Sequence, residues 1–241
     1  MNILSIGNSF SQDAHKWLHK LAKANGVAFQ TTNLNIGGCS LETHWKNAEE
    51  NNAFYGLELN GIPETRSVSI EETLNSKKWD IITLQQVSYQ SGMFETYEPY
   101  LSLMANKIRK SQPDVKIYFH QTWAYETDSD HVGFANYQNN QAEMYRLIKN
   151  ASERAAQAIS AGLIPVGEAI QILRDTVPEF DYRNGGVSLC RDGFHLSLDY
   201  GRFAAAAVWL RTITGKEIRT IDFEGFDTVL LEKIINVVNK L

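Results

Sequence analysis

Met1-Asn2-Ile3-Leu4-Ser5-Ile6-Gly7-Asn8-Ser9-Phe10-Ser11 opens the chain, and its reading decides the fold. Ile3, Leu4 and Ile6 form a short apolar run of the kind that makes a buried strand. Gly7-Asn8 follows at once, and both residues tolerate a tight backbone turn. The pattern predicts a helix from near Ser11, so Ser9 stands where a strand hands over to a helix. Two readings of Ser9 are open. It caps the helix, or it presents a nucleophilic hydroxyl in the crevice outside the carboxyl ends of parallel strands, where α/β sheets bind ligands.

Downstream, Ala14, Trp17, Leu18 and Leu21 share one face of a helix over 12–24, which Asn25-Gly26 ends. A second strand is expected over 27–34, running into Gly37-Gly38, where backbone N–H groups can approach a ligand unobstructed. A polar helix over 42–52 precedes a hairpin, Tyr55 to Leu59, Asn60-Gly61, then Thr65 to Val68, expected as an excursion at the domain edge. A short helix over 70–75 follows. Further strands are expected over 80–84, 115–119 and 163–166, with helices over 97–110, 136–161, 167–176, 198–212 and 227–239. Five strands alternate with crossovers long enough for parallel pairing. The expected fold is therefore a single α/β domain over 1–241, a three-layer α/β/α sandwich around a doubly wound parallel sheet, with a small β-hairpin insertion.

Bulk composition narrows the function. With 241 residues, a net charge of −5 and no basic block, no nucleic-acid partner is expected. The longest apolar run, Phe203 to Leu210, is far shorter than the ~20 residues of a membrane span. No signal-peptide pattern is visible, so a soluble protein is expected, cytoplasmic or secreted with its leader removed. Cys39 and Cys190 are too few for a disulfide framework or a zinc site; buried thiols are the default, and one disulfide between them stays open. His15, His19, His44, His120 and His131 show no metal-ligand spacing. The expectation is that neither metal nor organic cofactor is needed.

The second chemical signal is Arg191-Asp192-Gly193-Phe194-His195-Leu196-Ser197. Gly193 gives the turn freedom to fold the Asp192 carboxylate towards the His195 imidazole, and such a pair fixes the ring's tautomer and supports its protonated form. A capping Asp beside a surface His is the alternative. Gln85-Gln86-Val87-Ser88 places polar groups after the third strand, and Trp45, Tyr89, Trp123 and Tyr125 are either packing or platforms for a sugar ring.

Gly-Asn-Ser-Phe-Ser after strand one, Gly-Gly after strand two and Asp-x-x-His before the last long helices together resemble the SGNH, or GDSL-like, hydrolase superfamily, nearest a branch that opens with Gly-Asn-Ser-Phe. The resemblance covers nearly the whole chain. It implies a flavodoxin-like esterase fold with Ser9 as nucleophile, His195 as base and Asp192 as its partner. It also implies an oxyanion hole from the N–H groups of Ser9 and Gly38. The superfamily's third block usually reads Gly-x-Asn-Asp; here Gln86 takes the place of the Asn donor, with Gln85, Tyr89, Trp123 and Tyr125 as candidate substrate contacts. The expected activity is hydrolysis of small acyl esters, most plausibly acetyl on a carbohydrate. The rival expectations are a carbohydrate-binding protein with little turnover, and a lipase- or thioesterase-type acyl hydrolase.

Overall fold

In the computed structural model, which describes residues 1–219 and 222–241, strand β1 (Asn2–Gly7) lies inside the sheet with helix α1 (Ser9–Ala24) directly behind it. Next come β2 (Gln30–Asn35), α2 (Leu41–Glu49), β3 (Tyr55–Leu59), β4 (Ile62–Val68), α3 (Ile70–Asn75) and β5 (Ile81–Leu84). The second half holds α4 (Tyr100–Ser111), β6 (Lys116–His120), α5 (Gln141–Ala158), β7 (Gly162–Ile164), α6 (Val166–Thr176), α7 (Tyr200–Thr214) and α8 (Thr228–Val238).

The strands form one sheet of seven in the order β4-β3-β2-β1-β5-β6-β7. Its five parallel members run β2-β1-β5-β6-β7, the order of flavodoxin-like folds. Crossovers leave β1 in one direction towards β2 and in the other towards β5. The carboxyl ends of β1 and β5 therefore flank the switch point where such sheets bind ligands.

Strict alternation along each strand divides the interior into two cores. Ile3 and Ile81 face the core built with α1, α6, α7 and α8, whereas Leu4, Ile6, Ile82 and Leu84 face the one built with α2, α3 and α4. Ser5 and Thr83 share the first face and bond each other, and Ser5 also bonds His15 of α1. Both cysteines are free and buried, and burial pushes each thiol up to about 12.

Several features differ from those the sequence suggests. The hairpin is not an excursion: β3 pairs antiparallel with β2, from Thr32 opposite Leu59 to Asn35 opposite Gly56, and so covers what would be an open edge. Helix α1 starts at Ser9, because the Asn8 side chain accepts from the N–H of Phe10 and caps it there. Helix α5 starts at Gln141, capped by Asn140, while residues 132–137 form a separate 3-10 turn.

Candidate active site

Ser9 is the first residue of α1, at the positive end of a 16-residue helix dipole, with only Asn8 between it and the last residue of β1. Asn8, which sets that start, is itself held on three sides. Its amide donates to Cys39 O at 3.0 Å, and its Oδ1 accepts from Phe10 N and from Gln85 Nε2 at 2.6 Å. The turn carrying the hydroxyl is thereby tied to the loops after β2 and β5.

The imidazole of His195 reaches Ser9 from the far end of the chain, with Nε2 2.9 Å from Ser9 Oγ. On the other side of the ring Nδ1 lies 2.8 Å from Asp192 Oδ2. The second carboxylate oxygen, Oδ1, accepts from the backbone N–H of His195 at 2.7 Å and of Phe194 at 3.2 Å. Burial alone would raise the Asp192 carboxyl, but these hydrogen bonds outweigh it and hold it below the usual range. An ionised Asp192 fixes the proton on Nδ1 and leaves Nε2 to accept from Ser9. Gly193, at φ +80°, makes the turn that brings the two side chains together. It also seats the loop: Gly193 O accepts from Glu126 N at 2.8 Å, and a side chain there would meet Ser129 Cα at 3.0 Å.

Asp13 is a residue that the sequence reading missed. It sits one turn after Ser9, fully buried, with Oδ1 3.0 Å from Arg191 Nη1 and 2.8 Å from Arg202 Nε. Its Oδ2 accepts from the backbone N–H of Leu196 at 2.9 Å. The helix that carries the hydroxyl therefore grips the loop that carries the imidazole. In sequence the only trace is a lone acidic residue on the buried face of an amphipathic helix, which reads equally well as surface.

The other expected site residues divide. Gly38 is exposed at φ +66°, and its N–H, like that of Ser9, has no hydrogen-bond partner among the described residues. Gln86 is not free to act as a donor. Its amide nitrogen gives to Thr96 O and Thr96 Oγ1, both at 3.1 Å, and its Oε1 accepts from Leu41 N and Val87 N, so it caps α2 from outside. Gln85 accepts from His120 and donates to Asn8, which makes it scaffolding beneath Ser9. Trp123 and Tyr125 are fully buried and offer no face to a ligand. Trp123 stacks on Phe10 at 4.3 Å and donates to Phe194 O, and the Tyr125 hydroxyl pairs with Ser88. Trp45 packs half-buried against the α2-side core. Tyr89 is half-buried and stacks on His131, with ring centroids 6.3 Å apart.

Among the described residues no helix is long and apolar enough to cross a membrane. The family model described as a domain of unknown function, DUF4886, matches residues 2–234. A crystal structure of a DUF4886 family protein from Bacteroides uniformis is 36% identical, with a TM-score of 0.91 over 100% of this chain and 93% of that one. A protein of Slackia heliotrinireducens assigned to the SGNH hydrolases shares 20% identity and a TM-score of 0.60, over 88% of this chain and 98% of its own. Axe2, an acetylxylan esterase from Geobacillus stearothermophilus, shares 14% identity and a TM-score of 0.54, over 91% of this chain and 97% of its own. At those identities the likeness is one of fold, and the fold is that of the SGNH hydrolases. No curated protein matches the sequence.

Proposed function

We propose that this chain, which belongs to the DUF4886 family, is a serine esterase that removes small acyl groups, acetyl foremost, from carbohydrates. The observation that carries the reading is the unbroken run of hydrogen bonds from Asp192 through His195 to Ser9. His195 Nε2 takes the Ser9 proton as Oγ attacks the ester carbonyl. The oxyanion forms against the N–H groups of Ser9 and Gly38, at the positive end of α1. The imidazolium then gives its proton to the leaving alcohol, and water repeats the attack on the acyl-enzyme. A third donor from Gln86 plays no part, since its amide nitrogen is already turned to Thr96 O and Thr96 Oγ1. The choice of acetyl on a sugar is supported by the acetylxylan esterase among the proteins of like fold.

Hydrolysis of an activated acetyl ester by the wild type and by Ser9→Ala tests the nucleophile: activity is expected to vanish in the variant, and equal rates would remove the esterase reading. Covalent labelling by a fluorophosphonate tests the base. His195→Ala is expected to slow labelling of Ser9 by about 10²-fold or more, the range of general-base catalysis. The same pair of measurements separates an esterase from a protein of this fold that only binds sugars, which would show neither turnover nor labelling.

A further inference from the structure

His131 lies beside the catalytic pair without belonging to it. It opens the 3-10 turn at 132–137, and its Nδ1 accepts from the N–H of Gly133 at 3.0 Å. That acceptor role puts the ring proton on Nε2. The ring meets Phe194 edge-on at 4.7 Å, and Phe194 in turn lies 4.3 Å from the His195 imidazole. Tyr89 also stacks on His131, its plane inclined by 22°, and the buried Tyr125 ring packs 4.8 Å from it. Burial and the neighbouring His195 hold the His131 imidazole neutral by lowering its pKa, against the opposing pull of Asp130 and Asp192.

This wall is built rather than incidental. Asn136 Nδ2 and Tyr137 Oη both donate to Tyr89 O, at 2.9 and 3.2 Å. A side chain at Gly133 would fall 2.3 Å from Tyr89 Cβ, so the turn bearing His131 is pressed directly onto Tyr89. Tyr89, His131 and Phe194 are each half-buried, so each shows solvent an edge or a face. Phe10, the other ring near His195, is buried and closed to a ligand.

Proton transfer fixes which part of a substrate meets this wall. The proton that His195 takes from Ser9 must pass to the departing alkoxide, so the alcohol leaves past Nε2. The carbonyl oxygen turns the other way, towards the N–H of Gly38.

We infer that His131, flanked by Tyr89 and Phe194, forms the leaving-alcohol subsite and selects ring-shaped, hydroxylated alcohols, with Nε2–H donating to a substrate oxygen and the aromatic faces covering the ring's C–H surface. The inference rests on the esterase reading and assigns His131 a positioning role. A long alkyl alcohol would leave the Nε2–H donor unpaired on binding, which disfavours it.

The test compares one acyl group on two alcohols, 6-O-acetylglucose and ethyl acetate, in the wild type and in His131→Asn. Asn keeps an acceptor for the Gly133 N–H and is a favoured capping residue, so the turn is retained. For the variant, kcat/KM on 6-O-acetylglucose is expected to fall about tenfold, chiefly through KM, while ethyl acetate, too short to reach the wall, changes less than about twofold. Equal losses on both esters would show a merely structural role, and no loss on either would show that His131 does not contact the alcohol; both overturn the subsite. Fluorophosphonate labelling of Ser9 separates these failures from that of the esterase reading. Labelling with an unchanged ratio of the two esters rejects the subsite alone. Absence of labelling and turnover in the wild type rejects both.

Discussion

Asp13 shows how much of this site depends on a side chain that touches no substrate. A carboxylate without solvent exposure, shared by Arg191, Arg202 and the backbone of Leu196, is stable only while all its partners are in place. Asp13→Ala is expected to cost about 3–5 kcal/mol in denaturant unfolding, the range for breaking a buried ion pair. Asp13→Asn keeps the volume and one acceptor, so it is expected to fold yet to label Ser9 with fluorophosphonate more slowly, because the His195 loop has lost part of its anchor. Labelling at the wild-type rate by a folded Asp13→Asn would show that the loop is held elsewhere. At this scale the sequence was legible where chemistry is local. Gly7-Asn8-Ser9 and Asp192-x-x-His195 carry their geometry within four residues. Gln86, Trp123 and Tyr125 misled because the direction of a side chain after a strand is set by partners far away: Thr96 for Gln86, Phe10 for Trp123, Ser88 for Tyr125.

Among the elements, the β3–β4 hairpin is the one whose place the sequence least disclosed. Its turn is plain in Asn60-Gly61, but nothing local says that β3 will pair with β2. The pairing is secured by a buried polar chain, in which Glu58 of β3 accepts from Asn33 Nδ2 of β2 at 2.9 Å and from Gln12 of α1, while Asn33 Oδ1 accepts from Ser11. Glu58 is 5% exposed and Asn33 is fully buried, so the Asn33 amide has no water to fall back on. Removing it in Glu58→Ala is expected to cost about 1–3 kcal/mol for the unpaired donors it leaves. The hairpin stands one strand away from β1, so the labelling rate of Ser9 is expected to hold. A variant as stable as the wild type would show that the ladder alone holds the hairpin. Helix α5 teaches the same lesson at its start: amphipathic spacing runs back through Tyr137, but Asn140 accepts from the N–H of Glu143 and fixes the boundary there.

For the molecule as a whole, the alternation of strands and crossovers was enough to give a parallel, doubly wound sheet, since the handedness and length of each crossover leave few ways to wind one. What alternation does not report is the polar content of the core. His15, His44 and His120 are almost wholly buried, and burial lowers each to about 3. Each keeps one ring nitrogen unpaired among the described residues, as a neutral imidazole can. In the unfolded chain all three would take up protons near pH 6.5. The unfolded state therefore binds more protons throughout the window from pH 6.5 down to about 3, and stability falls as pH falls through it. Each histidine adds roughly 1.4 kcal/mol of loss per pH unit within that window. Thermal unfolding is expected to show Tm nearly level above pH 7 and dropping steeply between pH 6 and 4. A Tm that stays level down to pH 4 would mean that these rings are charged in the folded state. Replacing His44 by Gln is expected to flatten the curve by about a third.

The hydroxyl of Ser9 and the imidazole that faces it stand 186 positions apart in the chain. During translation the nucleophile emerges well before its base. A nascent polypeptide, or one cut short before Asp192, carries an ordinary serine with no base to take its proton. Reactivity is thus withheld until the His195 loop has been made, and a fluorophosphonate that marks Ser9 also reports that this loop has docked.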